Sequence, residues 1–252
     1  MSIKVGHASI DENGKIAGGK VGDQTGKEIC TRLWYGHNPA WNVYLECKDP
    51  KLAEQAAKLM EQICANNNFG YDQSQRLTGY NSIKKVGIVK GSGEFDCSSL
   101  VSVCYILAGL NLSPSNTTLS LRKALVATGK FNVYTAKQYT ESDAFAKRGG
   151  IYLAEGSHVV MALENGAKYN PFPVPSRNIH KGCKGDDVKW VQHELIKDGI
   201  TKVVVNGKVK TLTVDGKCGE ITDAAIKVYQ AKYKLKVDGD CGPVTKGSLL
   251  AV

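Results

Sequence analysis

The sequence predicts an α+β domain followed by a small all-α domain. Residues 97–109 are strongly apolar and end at Gly109, which is typical of a buried helix with a glycine cap. Residues 151–155, 158–163 and 167–170 follow as three short strands, because their apolar residues and the turn signals between them fit strands better than helices. Helices followed by an antiparallel sheet are typical of α+β domains.

An internal repeat predicts the all-α domain. Residues 214–222 and 237–245 are identical at six of nine positions, and each copy stands before a helical pattern. Another helical pattern begins at Asp186, so we expect three short helices joined by Asp-Gly turns. A proline-rich segment precedes this part and predicts a stiff, extended linker. The predicted organisation is a domain at 1–172, a linker at 173–180 and a domain at 181–252.

The first half contains further helical patterns between loops and short strands. Residues 51–66 place apolar side chains on one helical face, and the preceding Asp49-Pro50 is a typical helix start. Further helices are expected up to residue 85, over 117–128 and from Thr140 to Gly149. Residues 1–50 are rich in glycine and then in aromatic residues, and they predict loops and short strands.

The chain of 252 residues has a formal net charge of +9 and a pI near 9.0, so an anionic partner is expected. Nucleic acid and an anionic bacterial wall both fit this charge. The lysines are scattered, however, and neither a stacking-aromatic nor a recognition-helix motif is present, so nucleic acid is not expected as a partner. No apolar run reaches the ~18 residues that cross a bilayer, so membrane insertion is not expected either.

The first residues, Met-Ser-Ile-Lys-Val-Gly-His, contain no apolar run and no small-residue cleavage site, so a secretory signal is not expected. The protein would then be made in the cytoplasm, and a substrate outside the membrane would require another route of release. The sequence does not indicate the oligomeric state, and a monomer is the starting expectation.

The eight cysteines contain no Cys-x-x-Cys pair, so the usual zinc spacing is missing and no metal or other cofactor is predicted. In a chain without a secretion signal we expect reduced and mostly buried thiols. For Cys218 and Cys241, which lie in the repeat, a disulfide and two separate buried thiols both remain open.

Cys97 lies at a predicted junction between a loop and a helix. A thiol in the first turn of a helix is near unpaired backbone N–H groups and the positive end of the helix dipole, and both favour the nucleophilic thiolate. The same N–H groups stabilise an oxyanion. A buried helix cysteine without a catalytic role is the competing interpretation.

A nucleophilic thiol needs a base, and the base needs a group that orients it. Of the five histidines, His158 alone begins a strongly apolar strand, where an unpartnered imidazole is costly, although a structural histidine is the competing interpretation. Asn170 is the candidate orienting group. A two-residue turn at 165–166 puts Asn170 on the wrong face, whereas a three-residue loop at 164–166 pairs it with Val160 and brings it within reach of His158. If Cys97, His158 and Asn170 form a triad, the three-residue loop at 164–166 is therefore expected.

The segment Asp96-Cys97-Ser98-Ser99-Leu100-Val101 resembles the nucleophile motif of the NlpC-type peptidoglycan peptidases. The resemblance covers about residues 69–172, and the order cysteine, histidine, polar residue is the family order. It implies a papain-like fold, in which a helix carrying the cysteine packs on an antiparallel sheet carrying the histidine. It also implies that Cys97 is the nucleophile, His158 the base and Asn170 the orienting residue.

The same resemblance suggests residues that line the substrate site. Tyr71 stands in an aromatic-glycine motif like the family's tyrosine, with Tyr80 as a competing candidate. Asp96 and Ser98, beside the nucleophile, are the other candidate substrate-binding residues, and a helix cap is the competing interpretation for Asp96. Family members often carry Arg-Gly-Asp before the histidine strand, where this chain has Arg148-Gly149-Gly150 and lacks the carboxylate.

Two further resemblances concern the remaining parts of the chain. Residues 1–68 form an N-terminal extension outside the family core and resemble segments of phage and prophage lysins from Gram-positive hosts, with residues 22–26 as a marker. Residues 181–250 resemble the three-helix peptidoglycan-binding domain of many wall hydrolases, through Gln192 and the Asp-Gly pairs at 215–216 and 238–239 among others.

These resemblances imply an endolysin-like enzyme that applies cysteine chemistry to peptidoglycan. A D-glutamyl endopeptidase acting on the stem peptide is the main expectation, and an N-acetylmuramoyl-L-alanine amidase on the same fold is the enzymatic alternative. A non-catalytic wall-binding protein and a transferase using the same thioester chemistry are the alternatives from other classes. Without a signal peptide, we expect release through a holin.

Overall fold

The computed structural model describes residues 2–251 and divides into two compact units, Met1–Tyr169 and Asn170–Val252. Each unit has its own hydrophobic core. Within residues 2–251, no helix has both the length and the apolar character that crossing a membrane requires.

The first unit is built on a six-stranded antiparallel sheet with the strand order β2-β1-β8-β7-β3-β6. Its strands are β1 (Lys4–Ala8), β2 (Ile29–Leu33), β3 (Val43–Cys47), β6 (Phe131–Tyr134), β7 (Ile151–Ala154) and β8 (His158–Ala162). Two short parallel strands, β4 (Phe69–Tyr71) and β5 (Gly93–Phe95), form a separate pair. The helices are α1 (Pro50–Cys64), α2 (Thr78–Lys90), α3 (Cys97–Leu107), α4 (Leu121–Ala127) and α5 (Lys137–Thr140).

Helices α1 and α3 pack on one face of the sheet, which we call the helix face. Asp49 caps α1 by accepting hydrogen bonds from the N–H groups of Lys51 and Leu52, as the Asp49-Pro50 signal predicts. Gly6 on β1 lies under α1, since a Cβ atom there would collide with the Met60 side chain. The mixed helix-and-sheet architecture expected from the sequence is therefore present.

The opposite face of the sheet is covered by aromatic side chains, and we call it the aromatic face. Its buried members include Trp41, Tyr44, Tyr152 and Val160, and the half-buried Trp34, Tyr35, Tyr134 and Tyr139 pack against them. Because side chains alternate along a strand, every strand of the sheet contributes residues to both faces.

The segment between β1 and β2 is held against the β4–β5 pair by buried carboxylates. Glu94 accepts a hydrogen bond from the Gly22 N–H at 2.7 Å, and Glu28 accepts one from the Tyr71 N–H at 3.2 Å. Burial raises the pKa of Glu94 to about 7. Asp23 closes a turn by accepting hydrogen bonds from the following backbone, so the 22–26 marker has a structural explanation.

Two sequence-based expectations near the end of this unit are wrong. Residues 167–170 form no strand, because β8 pairs with β1 on that side and the chain turns back instead. The N–H groups of Gly166 and Lys168 donate to the carbonyl oxygens of Ala146 and Ala144. The helix expected from Thr140 to Gly149 is also missing: the short α5 ends at Thr140, and irregular backbone follows.

The missing carboxylate in Arg148-Gly149-Gly150 has a packing explanation. A Cβ atom at Gly150 would collide with the Tyr44 hydroxyl group, which accepts a hydrogen bond from the Lys147 N–H at 2.7 Å. Arg148 forms ion pairs with Glu61 and Glu54 at 2.6 Å and 2.8 Å. The space that a side chain at residue 150 would need is therefore filled by Tyr44 from β3.

Gly150→Asp is expected to lower the free energy of unfolding of the first unit by at least about 2 kcal/mol, because an added side chain must displace Tyr44. Urea unfolding followed by circular dichroism measures this. Gly36→Asp is the matched control, since no atom lies within 4 Å of a Cβ there. The Gly36 change should stay within about 0.5 kcal/mol, and equal losses for the two variants would contradict the packing explanation.

The second unit contains the three expected helices, α6 (Asp186–Lys197), α7 (Glu220–Lys232) and α8 (Pro243–Ala251). The sequence repeat is a structural repeat. Gln192 on α6 binds the first Asp-Gly turn, through Asp215 and the Gly216 N–H, and Gln230 on α7 binds the second turn in the same way, through Asp238 and the Gly239 N–H.

The expectation that this unit is all-α is wrong, because it also contains a β-hairpin, β9 (Lys202–Val205) and β10 (Lys208–Thr211). The turn residues Asn206 and Gly207 have φ values of 50° and 70°, as a type I′ turn requires. The Asn-Gly pair between two valine-containing segments is the sequence signal for this hairpin.

The proline-rich segment at 173–180 belongs to the second unit. Ile179 is fully buried and pairs with Cys241 in an isolated bridge. Lys246 donates a hydrogen bond to the Pro175 carbonyl oxygen at 2.7 Å. These contacts make the segment part of the packed module.

Candidate functional site

Cys97 is the first residue of α3 and is 5% exposed. Strand β5 leads directly into this helix, and Asp96 caps it in a capping box with Ser99, as Asx and Ser residues at these positions favour. Burial, and next the nearby Asp96 carboxylate, raise the pKa of the Cys97 thiol to about 12, while the N–H groups of Val159 and Ser98 act in the opposite direction. In this state Cys97 is a neutral thiol.

The candidate substrate-binding residues Asp96 and Ser98 are engaged in the helix cap. Asp96 accepts hydrogen bonds from Ser99 N–H at 2.6 Å and Ser98 Oγ at 3.0 Å, and it pairs with Arg76 Nη1 at 2.9 Å. Arg76 also donates to the Asn116 carbonyl oxygen. The cap interpretation of Asp96 therefore describes its contacts in this structure, and the sequence analysis missed Arg76.

Tyr71 lies beside Cys97 because β4 and β5 pair in parallel. Their register places Tyr71 opposite Phe95, two residues before Cys97. Its hydroxyl group accepts a hydrogen bond from Gln73 at 3.0 Å. Burial, followed by the nearby Cys97 sulfur, raises the pKa of Tyr71 to about 12. The structure therefore brings this candidate to the cysteine.

His158 begins β8, on the aromatic face. Its neighbour Val159 belongs to the core of the helix face, and Val160 belongs to the cluster on the aromatic face, so strand alternation places His158 on the aromatic face. The ring stacks on His37 with a centroid distance of 5.0 Å and lies 5.8 Å from the Trp41 ring. Burial lowers the pKa of His158 to about 3.

Two residues from the N-terminal extension bind the His158 ring. Tyr35 Oη lies 3.0 Å from His158 Nε2 and 2.7 Å from His7 Nδ1. His7 Nδ1 is 3.4 Å from His158 Nε2. Burial also lowers the pKa of His7, to about 4, so both imidazoles are neutral at pH 7. The sequence analysis did not identify His7, Tyr35, His37 and Trp41 as neighbours of His158.

Cys97 and His158 approach each other at the start of β8. The Val159 N–H points at the Cys97 thiol, and Val159 is the residue after His158. In the described part of the chain no hydrogen bond joins the thiol to the imidazole, and His158 Nδ1 has no protein partner.

The register that would place Asn170 beside His158 does not form, because residues 167–170 are not a strand. Asn170 instead belongs to the second unit, where its amide donates to the Trp190 carbonyl oxygen at 3.1 Å and to Glu194 at 2.6 Å. The structural argument for Asn170 as the orienting group is therefore wrong.

All eight cysteines are free thiols, including Cys218 and Cys241. Among residues 2–251 there is no group of three histidine, cysteine or acidic side chains that could hold a metal ion. His158 contacts His7 through ring nitrogens 3.4 Å apart and stacks on the His37 ring.

Alkylation of Cys97 by iodoacetamide is expected to accelerate about tenfold per pH unit between pH 6 and pH 9. The raised pKa leaves the thiol protonated over this range, so the thiolate fraction grows with pH. Mass spectrometry of the peptide containing Cys97 gives its rate separately from that of the half-exposed Cys30. A rate that does not change with pH would show a preformed thiolate–imidazolium pair and contradict the structure.

Comparisons with known proteins match both units. The model of the "Endolysin-like domain" family matches residues 5–169, and that of the "Putative peptidoglycan binding domain" family matches residues 184–249. Among solved structures, "The crystal structure of SleB N-terminal domain" is 32% identical, with 31% of this chain and 93% of that chain covered. Its TM-score of 0.26 supports no argument about the fold. No curated protein matches the chain.

Proposed function

This chain belongs to the endolysin-like domain family, and we propose that it is a peptidoglycan hydrolase whose nucleophile is Cys97. The endolysin-like and peptidoglycan-binding matches together support a protein that degrades or binds the cell wall. The cysteine chemistry, and its relation to the NlpC-type peptidases, is our inference from the site.

The observation that carries the proposal is the position of Cys97 at the N-terminus of α3, next to the strand that begins with His158. A helix N-terminus supplies both thiolate stabilisation and oxyanion donors. Asp96 accepts a hydrogen bond from the Ser99 N–H. The N–H groups of Cys97 and Ser98 are then the first-turn donors that can bind an oxyanion.

The proposed reaction proceeds through a thioester. Cys97 Sγ attacks the carbonyl carbon of a peptide bond while its proton passes to His158 Nδ1, and the developing oxyanion is bound by the N–H groups of α3. The amine leaves with the proton held by His158. Water then attacks the thioester, with His158 again as the base, and releases the acid and the free thiol.

Among the described residues no hydrogen bond joins the Cys97 thiol to the His158 imidazole, and this is compatible with the proposed reaction. Catalytic hydrogen bonds often tighten only when substrate is bound. Displacing water from the site would also strengthen the contact between the two groups.

A non-catalytic wall-binding protein is the alternative from another class, and it is favoured by the raised pKa of Cys97 and the lowered pKa of His158.

We propose the stem peptide as substrate, with cleavage after D-glutamate, and an N-acetylmuramoyl-L-alanine amidase as the second candidate. Purified peptidoglycan from several Gram-positive species is digested, and the released fragments are identified by mass spectrometry. Fragments that end in D-glutamate would identify the enzyme as an endopeptidase. Intact stem peptides released from the sugar would identify it as an amidase. Intact wall from every species would contradict hydrolysis and favour the binding protein.

We propose that the second unit retains the enzyme on the wall. The matched residues 184–249 contain an open groove lined by Gln192, Asp215, Glu220 and Thr222. The net charge of +9 favours attraction to anionic wall polymers.

For the route to the wall we propose release through a holin of a phage or prophage. Co-expression in a bacterial host tests this route, with lysis expected only when a holin is present.

A further inference from the structure

We propose that Tyr35 and His7 orient the imidazole of His158, the role that sequence analysis gave to Asn170. This inference deepens the proposed function, because it names positioning residues for the same base. It rests on two distances at one hydroxyl group, 2.7 Å from Tyr35 Oη to His7 Nδ1 and 3.0 Å from Tyr35 Oη to His158 Nε2.

The contacts form a directed chain because a tyrosine hydroxyl carries only one proton. Tyr35 donates to one imidazole and must accept from the other. With oxygen acceptors, O–H donors form shorter bonds, near 2.7–2.8 Å, than N–H donors, near 2.9–3.0 Å. The lengths therefore favour a chain in which His158 Nε2–H donates to Tyr35, and the Tyr35 O–H donates to His7 Nδ1.

This direction fixes the tautomer of His158. With its proton on Nε2, the Nδ1 atom is the free lone pair that can accept the proton of a thiol. Nδ1 also has no hydrogen-bond partner among residues 2–251, so it is available for Cys97. The opposite direction would place the proton on Nδ1 and remove the base.

Tyr35 is itself held in place, as a positioning residue requires. The Arg32 guanidinium lies 4.3 Å over the Tyr35 ring, and the Trp41 ring meets it edge-on at 5.7 Å. Trp41 Nε1 also donates to the Tyr35 carbonyl oxygen at 2.7 Å. On the other side, β1 supplies His7 with a fixed backbone. The N-terminal extension therefore has a chemical role as well as a structural one.

The chain of hydrogen bonds is tested by nitrogen NMR of the histidine side chains in the full-length protein. Long-range proton–nitrogen spectra of ¹⁵N-histidine-labelled protein distinguish the two tautomers, and His158→Gln assigns the His158 signals. The wild type is expected to hold His158 in the Nε2–H tautomer. Tyr35→Phe is expected to give a mixture of tautomers.

Hydrolysis rates supply the second readout. Tyr35→Phe should lower kcat at least about tenfold and leave KM within about twofold, because a general base contributes about 10²–10⁴-fold to the rate. Tyr139→Phe is the matched control on the aromatic face, since its hydroxyl group has no hydrogen-bond partner among the described residues and does not contact His158. It should leave both the tautomer and kcat unchanged.

A pair of His7 variants keeps the test decisive should Tyr35→Phe fail to fold. His7→Asn places an amide oxygen where Nδ1 accepts, so it should keep the tautomer, whereas His7→Leu should lose it. An unchanged Nε2–H tautomer in Tyr35→Phe, or in His7→Leu, would overturn the inference. A wild type that shows these tautomers and cuts no wall would overturn the proposed function and leave the orientation of His158 established.

Discussion

Cys97→Ala is expected to lower the rate of wall hydrolysis at least about a thousandfold, because it removes the atom that forms the thioester in the proposed reaction. The variant should still pellet with purified peptidoglycan, since the peptidoglycan-binding match lies in residues 184–249. Turbidity of a wall suspension measures hydrolysis, and sedimentation of protein with the wall measures binding.

Cys104→Ala is the matched control for this prediction. Cys104 lies on the same helix, is fully buried and is a free thiol, but it stands two turns away from the helix N-terminus. The control should keep the wild-type rate and lose roughly 1 kcal/mol of stability through the small cavity it creates. Equal loss of hydrolysis in the two variants would show that the effect comes from damage to α3.

Asp96→Ala is expected to have the largest effect on stability, a loss of about 3–5 kcal/mol in the free energy of unfolding of the first unit. The change removes the cap of α3 and leaves Arg76, which is 20% exposed, without its carboxylate partner. Urea unfolding followed by circular dichroism measures the loss.

Asp49→Ala is the matched control, because Asp49 caps α1 in the same way. Its ion pair with Lys130 is solvent-exposed, at 37% and 51%, so Asp49→Ala should lower the free energy of unfolding by less than Asp96→Ala does. Losses of equal size at the two positions would contradict the argument that the buried ion pair makes the difference.

Local signals in the sequence predicted much of the fold. The Asp49-Pro50 start and the apolar periodicity after it predict α1, and the apolar run after Asp96 predicts α3. The Asn206-Gly207 pair predicts a hairpin by the same logic, and the expectation of an all-α second unit neglected it. The Asn165-Gly166 pair carries the same turn signal but forms no hairpin. The strand expected at residues 167–170 is missing, because β1 pairs with β8 in its place.

In the candidate site, too, the residues set by local sequence could be predicted and those set by long-range strand pairing could not. Cys97 and its cap are readable because they depend on consecutive residues. His7 and Tyr35 could not be identified in this way, since they lie 151 and 123 residues from His158. The pairing of β1 with β8, and of β2 with β1, brings them to it. Periodicity alone does not reveal which distant strand becomes a neighbour.

The most direct test of the central claim counts the chemical groups that appear when wild type and Cys97→Ala act on purified peptidoglycan. Cleavage by a cysteine peptidase or amidase predicts new amino groups or free peptides, no new reducing sugar ends, and no reaction with Cys97→Ala. New reducing ends, or equal release of amino groups by the two proteins, would contradict Cys97 as the nucleophile of a peptidoglycan hydrolase.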